Sequence, residues 1–164
     1  MPATLRKSLP LLSRFAWLME LYGENYQRLS CLLDFSGLRQ GRYLSRNPGG
    51  LDLLVDVLEV HPFTMELRLS YCIEDPLTGL PDPSAHVRVY RDARQAEVTH
   101  CYIGRCWQDV LGLYPPARVL FGHRLRMNSF LNKWLEYLAG QGHGSQPLEL
   151  LDTQATDEKS AVCA

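Results

Sequence analysis

The sequence predicts an α+β fold, in which an antiparallel sheet of four to five strands is flanked by an N-terminal and a C-terminal amphipathic helix. Three observations support this fold class. Apolar residues recur every three or four positions near both ends of the chain, apolar and polar residues alternate over 63–73, and a hairpin pattern covers 86–102. The 164 residues suit one domain, and 46% hydrophobic with 21% charged residues are typical of a globular protein.

The first helix is predicted from about Pro10 to Leu33, because its apolar residues fall on one helical face. Pro10 suits the first turn, where its missing N–H costs nothing. Gly23 is a position where the helix could kink or split. The apolar stripe consists of Phe15, Leu18, Met19, Tyr22, Tyr26, Leu29 and Leu33.

Four strands follow in the pattern, with a further short one at Tyr43 and Leu44. They cover 51–60, 63–73, 86–90 and 95–102, and turn residues separate them. Alternation over 63–73 means that one face is buried and the other is wet. The buried face is predicted to carry Phe63, Met65, Leu67, Leu69, Tyr71, Ile73, Val87 and Val89.

The second helix is predicted from about Arg124 to Ala139, after an irregular stretch over 103–121. Its stripe consists of Met127, Phe130, Leu131, Trp134, Leu135 and Leu138, and Gly140 is a natural stop. The sequence after it has no sustained period. We therefore expect one domain over 1–142 and a disordered C-terminal tail over 143–164.

Composition excludes several classes of protein. The formal net charge of −1 argues against bulk nucleic-acid binding, which usually needs a basic excess. No apolar run approaches the roughly 18 residues of a membrane span, and Arg14 breaks the only run that resembles a signal peptide. Five cysteines in irregular spacing, without a CxxC motif, suit reduced thiols. We therefore expect a cytoplasmic protein with no membrane association.

Motifs for catalysis, metal binding and nucleotide binding are missing from the sequence. His100, Cys101, Cys106 and His123 are potential zinc ligands, but neighbouring residues on a strand point to opposite faces. No metal and no cofactor is therefore predicted. The sequence has no GxSxG, HExxH, GxxxxGK[ST] or GxGxxG motif, and hence no catalytic residue is assigned.

A basic cluster is the best candidate for a ligand site. Arg124 and Arg126 lie in the first turn of the predicted last helix, whose free N–H groups attract anions. If the hairpin turn is a neighbour, a basic pocket for a small anionic ligand such as a phosphate or a nucleotide results. The alternative is a solvated rim of arginines paired with acids. The candidate binding residues are Arg88, Arg91, Asp92, Glu97, Arg124 and Arg126.

Three sequence blocks resemble the YqiB-like proteins, small bacterial proteins, mostly from gammaproteobacteria, grouped only as a domain of unknown function. The blocks are GENYQRLSCLL at 23–33, VRVYRDARQAEV at 87–98 and MNSFLNKWLEYL at 127–138, and the resemblance covers about 18–142. It implies no activity, cofactor or catalytic residue, although genes for nucleotide-hydrolysing enzymes often lie beside those of the family. Matched polar positions include Asn25 and Asn128. Because asparagine is a mediocre helix former, each is predicted to be a structural polar residue with a fixed partner.

Three functional hypotheses remain. The leading one is a non-enzymatic regulatory or adaptor domain that acts through an unknown protein partner, since the fold signals are good and catalytic signatures are missing. The first alternative is a small-ligand or nucleotide-binding domain that uses the basic cluster. The second alternative is an enzyme that uses the pair Asp92 and Glu97.

Overall fold

The computed structural model describes residues 11–73, 76–77, 79, 83–102 and 114–152. These described residues form two helices and a six-stranded antiparallel sheet, so the α+β class is confirmed, with more strands than the four to five predicted. The elements in chain order are α1 (Leu11–Leu32), β1 (Gly41–Ser45), β2 (Leu53–Val60), β3 (Thr64–Tyr71), β4 (Ser84–Tyr90), β5 (Gln95–Tyr102), α2 (Ala117–Gly140) and β6 (Glu149–Asp152).

The sheet is a meander with one strand added from the C-terminal side. Its strand order is β5-β4-β3-β2-β1-β6, so each of the first five strands pairs with its neighbour in sequence. The β2–β3 turn is closed by a 2.8 Å hydrogen bond from the N–H of His61 to the carbonyl of Thr64. In the β4–β5 turn, Arg94 adopts a left-handed φ of 51°.

The core lies on one face of the sheet, beneath both helices. The central strands contribute Val55, Leu67 and Val87, each fully buried, and the helices contribute Leu29, Leu131 and Leu135 to the same cluster. Trp134 is anchored there by a 2.9 Å bond from its indole N–H to the hydroxyl of Tyr71. Burying this many large apolar side chains supplies the main driving force for folding.

α1 matches its predicted limits to within one residue at each end, whereas α2 starts earlier than predicted and part of the predicted face of α1 is exposed. α2 begins at Ala117, two turns before the predicted start, because Pro116 adopts an extended conformation and can precede a helix but not continue one. α1 runs unbroken through Gly23. Placing Phe15 in the buried stripe was wrong, because this side chain is 53% exposed, whereas Asn25 is fully buried.

The predicted run of alternating buried residues in β3 extended beyond the strand at both ends. Met65, Leu67 and Leu69 are fully buried, as predicted, and so are Val87 and Val89. Phe63 is 65% exposed and Ile73 is 45% exposed, so their assignment to this face was wrong. Both lie outside the strand, Phe63 in the β2–β3 turn and Ile73 beyond Tyr71, where the alternation of faces no longer holds.

The ordered chain extends past the predicted boundary at residue 142. His143 is 6% exposed, its Nδ1 lies 2.7 Å from the Ser45 hydroxyl, and its Nε2 lies 3.2 Å from the carbonyl oxygen of Leu51. Glycines with φ of 93° and 89°, Gly142 and Gly144, flank it and turn the chain back from α2 toward β1. β6 then pairs with β1, so the sheet includes residues that the sequence assigned to the tail.

Candidate functional site

The face of the sheet opposite the helices carries charged side chains that form ion pairs with one another. The carboxylate of Asp56, only 2% exposed, accepts a 2.7 Å bond from Nε of Arg42 and a 2.9 Å bond from Nε of Arg68. A buried carboxylate needs such partners to offset its lost hydration. These three residues occupy one row across β1, β2 and β3.

His86 and His100 continue this row onto β4 and β5. Their ring centroids lie 5.9 Å apart in an edge-to-face arrangement. Burial, with help from the positive charge of Arg68, lowers the pKa of His86 to about 4. Near neutral pH this histidine is therefore uncharged, and it adds no positive charge to the row.

Two of the four arginines in the predicted basic cluster are paired with acids. Arg88 donates from Nε to Glu66, and this hydrogen bond raises the pKa of the guanidinium group. Glu97, whose side chain is 14% exposed, accepts a 2.8 Å bond from Tyr90 and a 3.3 Å bond from Arg124. Arg88 and Arg124 thus both lie near Glu97 of β5, but each guanidinium group is paired with a carboxylate.

The other predicted binding residues lie apart from this network. Arg91 lines a pocket at the C-terminal end of α1, and Arg126 lines a groove between the two helices. Asp92 is exposed in the β4–β5 turn, whereas Glu97 belongs to the network through its bonds to Tyr90 and Arg124. Neither Asp92 nor Glu97 lines the pocket at the end of α1 or the groove between the helices.

Asn25 and Asn128 meet at the centre of the helix pair, and both are fully buried. The amide of Asn25 donates to the backbone carbonyl of Asn128 at 3.3 Å. Oδ1 of Asn128 accepts from the N–H of Val98 at 2.9 Å, and its Nδ2 donates to the carbonyl of Arg124, also at 2.9 Å. Asn128 therefore joins α1, α2 and the edge strand β5.

The helix-pair groove lies between α1 and α2 and has a volume of about 470 Å³. Its apolar part is formed by Trp17, Leu125 and Phe130, and Trp17 is 49% exposed. Three cations surround this apolar part, and no carboxylate lines the groove. The full lining is Arg14, Trp17, Gly122, Leu125, Arg126, Ser129, Phe130 and Lys133.

The cations of this groove have no acidic partner in the part of the chain that the structure describes. No ion pair within 4 Å involves Arg14, Arg126 or Lys133. Residues 117–133 of α2 contain four arginines and lysines and no aspartate or glutamate. Arg118 lies in the first turn of α2, where a positive charge opposes the helix macrodipole and does not stabilise the helix.

Metal binding and membrane crossing find no support in the described ranges. No group of three or more histidine, cysteine or acidic side chains there is arranged to hold a metal ion. Among the same residues, neither helix combines the length and apolar character that a bilayer span requires. Cys106 lies outside the described residues, as does the remainder of the segment 103–113.

Several residues that line the two concave features were not predicted from the sequence. Arg14 was considered only as a break in an apolar run, and Trp17 was not considered. Lys133 lies two turns after Arg126 in α2. The lack of acids over 117–133 is the sequence signal that indicates an uncompensated basic face there. Ser30 and Ser36 carry no such signal, because single serines at a helix end are common.

One protein-family model matches the chain, over residues 28–144, and it is described as "Protein of unknown function (DUF1249)". The match covers more than half of the 164 residues, so the chain belongs to this family. No curated protein and no solved structure is similar enough to count as a match. Membership in a family grouped only as a domain of unknown function is thereby confirmed, while the YqiB-like name and a bacterial origin stay predictions.

Proposed function

We propose that this member of the DUF1249 family is a non-enzymatic regulatory or adaptor domain, and that its helix-pair groove binds an acidic, amphipathic segment of a protein partner. One observation carries the proposal. Arg14, Arg126 and Lys133 surround an apolar surface, and among the described residues neither the groove lining nor an ion pair supplies a compensating carboxylate.

The apolar part of the groove supports a protein segment over a small ion. Trp17 leaves about half of its surface in water, and covering it would remove a large apolar area from solvent. Tryptophan and arginine are the residues that most often dominate binding energy at protein interfaces. Amphipathic helices bind in such grooves through apolar side chains spaced by three and four residues.

The charges of the groove support an acidic partner. Three cations that have no acidic partner among the described residues would attract carboxylates and would repel a basic segment. Their exposure means that the attraction is screened by salt, so binding should weaken as ionic strength rises. A nucleic acid is a poorer candidate, because the whole chain has a net charge of −1 and the groove floor is apolar.

The proposal is tested with a synthetic amphipathic helical peptide that carries aspartate and glutamate on one face and leucine and phenylalanine on the other. Binding is followed in the full chain through the NMR signal of the Trp17 indole N–H. We expect saturable shifts at Trp17 and at the backbone amides of Arg126 and Ser129. A peptide with lysine in place of each acid serves as the charge control and should not bind.

Variants of one arginine at a time locate the site. Arg126→Glu should weaken binding of the acidic peptide by about tenfold, which corresponds to about 1.4 kcal/mol. Arg39→Glu is the matched control, because Arg39 is exposed and lies in the loop between α1 and β1. The proposal fails if the lysine peptide binds as tightly as the acidic one, or if both variants lose the same affinity.

A further inference from the structure

A second concave site lies at the C-terminal end of α1, away from the lining of the helix-pair groove. It has a volume of about 410 Å³, within the range of about 300–1,000 Å³ that is typical of small-molecule sites. We call it the α1-end pocket. It is lined by Tyr26, Ser30, Leu33, Asp34, Phe35, Ser36 and Arg91.

We propose that the α1-end pocket binds a free α-amino acid with an apolar or aromatic side chain, with its carboxylate on Arg91 and its ammonium group on Asp34 and the serine hydroxyls. This function is separate from the partner binding proposed for the helix-pair groove. It requires three kinds of surface in one pocket, namely hydrogen-bond donors, hydrogen-bond acceptors and an apolar wall.

Arg91 supplies the donors. Its Nε–H is inaccessible to solvent and has no hydrogen-bond partner among the described residues, and no ion pair of the described chain includes its side chain. A guanidinium group carries five N–H donors in a planar fork that matches a carboxylate. A buried N–H without a hydrogen-bond partner raises the free energy of the folded state. A ligand carboxylate would pair with the Arg91 guanidinium group, to which this N–H belongs.

The acceptors are the carboxylate of Asp34 and two serine hydroxyls, whose hydrogens are already donated to other groups of the protein. The hydroxyl of Ser30 donates to the carbonyl of Gln27 at 2.7 Å, and the hydroxyl of Ser36 donates to Oδ1 of Asp34 at 2.6 Å. Each serine oxygen therefore faces a ligand as an acceptor. The bonds from Ser36 also lower the pKa of Asp34, so this carboxylate stays charged near neutral pH. A primary ammonium group, with three donors, complements these acceptors.

The end of the helix and the aromatic rings complete the match. The last carbonyl groups of α1 give this end a partial negative charge, which favours an ammonium group over a second anion. The rings of Tyr26 and Phe35 pack with centroids 5.5 Å apart and form part of the wall. Together with Leu33 they offer an apolar surface to the ligand side chain.

The test compares L-phenylalanine with two compounds that each lack one charge, phenethylamine and 3-phenylpropionate. Binding is measured by NMR titration of the full chain, using the backbone amides of Ser30, Ser36 and Arg91. We expect L-phenylalanine to bind at least about tenfold more tightly than either compound. Equal affinity for all three, or no shift at these amides with L-phenylalanine, would overturn the proposal.

Two variants assign each charge to its residue. Arg91→Gln should weaken the binding of L-phenylalanine and of 3-phenylpropionate but leave the affinity for phenethylamine unchanged. Asp34→Asn should weaken L-phenylalanine and phenethylamine but leave 3-phenylpropionate unchanged, and it keeps an oxygen that can accept the bonds from Ser36. Arg39→Gln, outside the pocket, is the matched control. If a variant weakens the binding of all three compounds equally, the assignment of charges to residues is contradicted. The comparison of the three compounds on the unaltered chain tests the proposal even if a variant does not fold.

Discussion

Replacement of Asn128 by alanine should destabilise the fold more than any other change of a single polar side chain in α2. The side chain is fully buried and serves three elements at once. Asn128→Ala removes the acceptor of the Val98 N–H, the donor to the Arg124 carbonyl, and a weaker contact with the Asn25 amide at 3.5 Å. It also leaves a small cavity between the helices and β5.

The size of the effect follows from the groups that lose their partners. A buried polar group without a partner costs about 1–3 kcal/mol. The Val98 N–H is the main loss, because the Arg124 carbonyl belongs to a helix and the Asn25 amide keeps its bond to the backbone of residue 128. We therefore expect a loss of about 2–4 kcal/mol in the free energy of unfolding, against a total of about 5–15 kcal/mol for a domain.

Urea unfolding followed by circular dichroism measures this loss, and amide hydrogen exchange at Val98 locates it. Asn132→Ala is the matched control, since Asn132 lies one turn later in α2 and its Nδ2 has no hydrogen-bond partner among the described residues. That control should cost clearly less. A stability for Asn128→Ala within about 0.5 kcal/mol of the unaltered chain, with Val98 exchange unchanged, would refute the reasoning.

Two further predictions concern pH and backbone conformation. Because burial and Arg68 lower the pKa of His86 from 6.5 to about 4, the unfolded chain takes up a proton at a higher pH than the folded chain. Stability should therefore fall by up to about 3 kcal/mol as pH drops from 6.5 to 4. In His86→Gln, unfolding curves at several pH values should show a smaller fall, and an identical fall would contradict this assignment. Gly144→Ala should destabilise the fold by about 2 kcal/mol or more in urea unfolding, because φ is 89° and a Cβ there would lie 2.8 Å from the carbonyl oxygen of Cys31. Gly140→Ala, which meets nothing within 4 Å, is its control, and equal losses would count against the steric explanation.

The sheet could be predicted well because its signal is local. Alternation along β3 and the hairpin of β4 and β5 depends on neighbours in sequence, and Val87, Val89, Ala96 and Val98 are buried in the register that this pattern implies. β6 has no such signal. Its residues Leu150 and Leu151 are about half exposed, and pairing with β1 depends on the turn made by Gly142 and Gly144.

The candidate sites were harder to predict, since they depend on which charges meet. Arg88 and Arg126 look alike in sequence, but Glu66 from the neighbouring strand pairs with the first, while no acid of the described chain reaches the second. The number of arginines in a segment therefore says little about anion binding. Arg91 reaches the end of α1 across about sixty residues of sequence, a contact that no local pattern records.

The pairing of β6 with β1 has a consequence for the order in which the chain folds during synthesis. All strand pairs of the meander join segments that leave the ribosome one after another, so they can form early at a small loop-closure cost. The partner of Tyr43 in β6, Leu150, emerges more than one hundred residues later. Until then the outer edge of β1 displays unpaired N–H and C=O groups, which are a template for aggregation. β6 therefore covers the outer edge of β1 only after the other five strands have been synthesised.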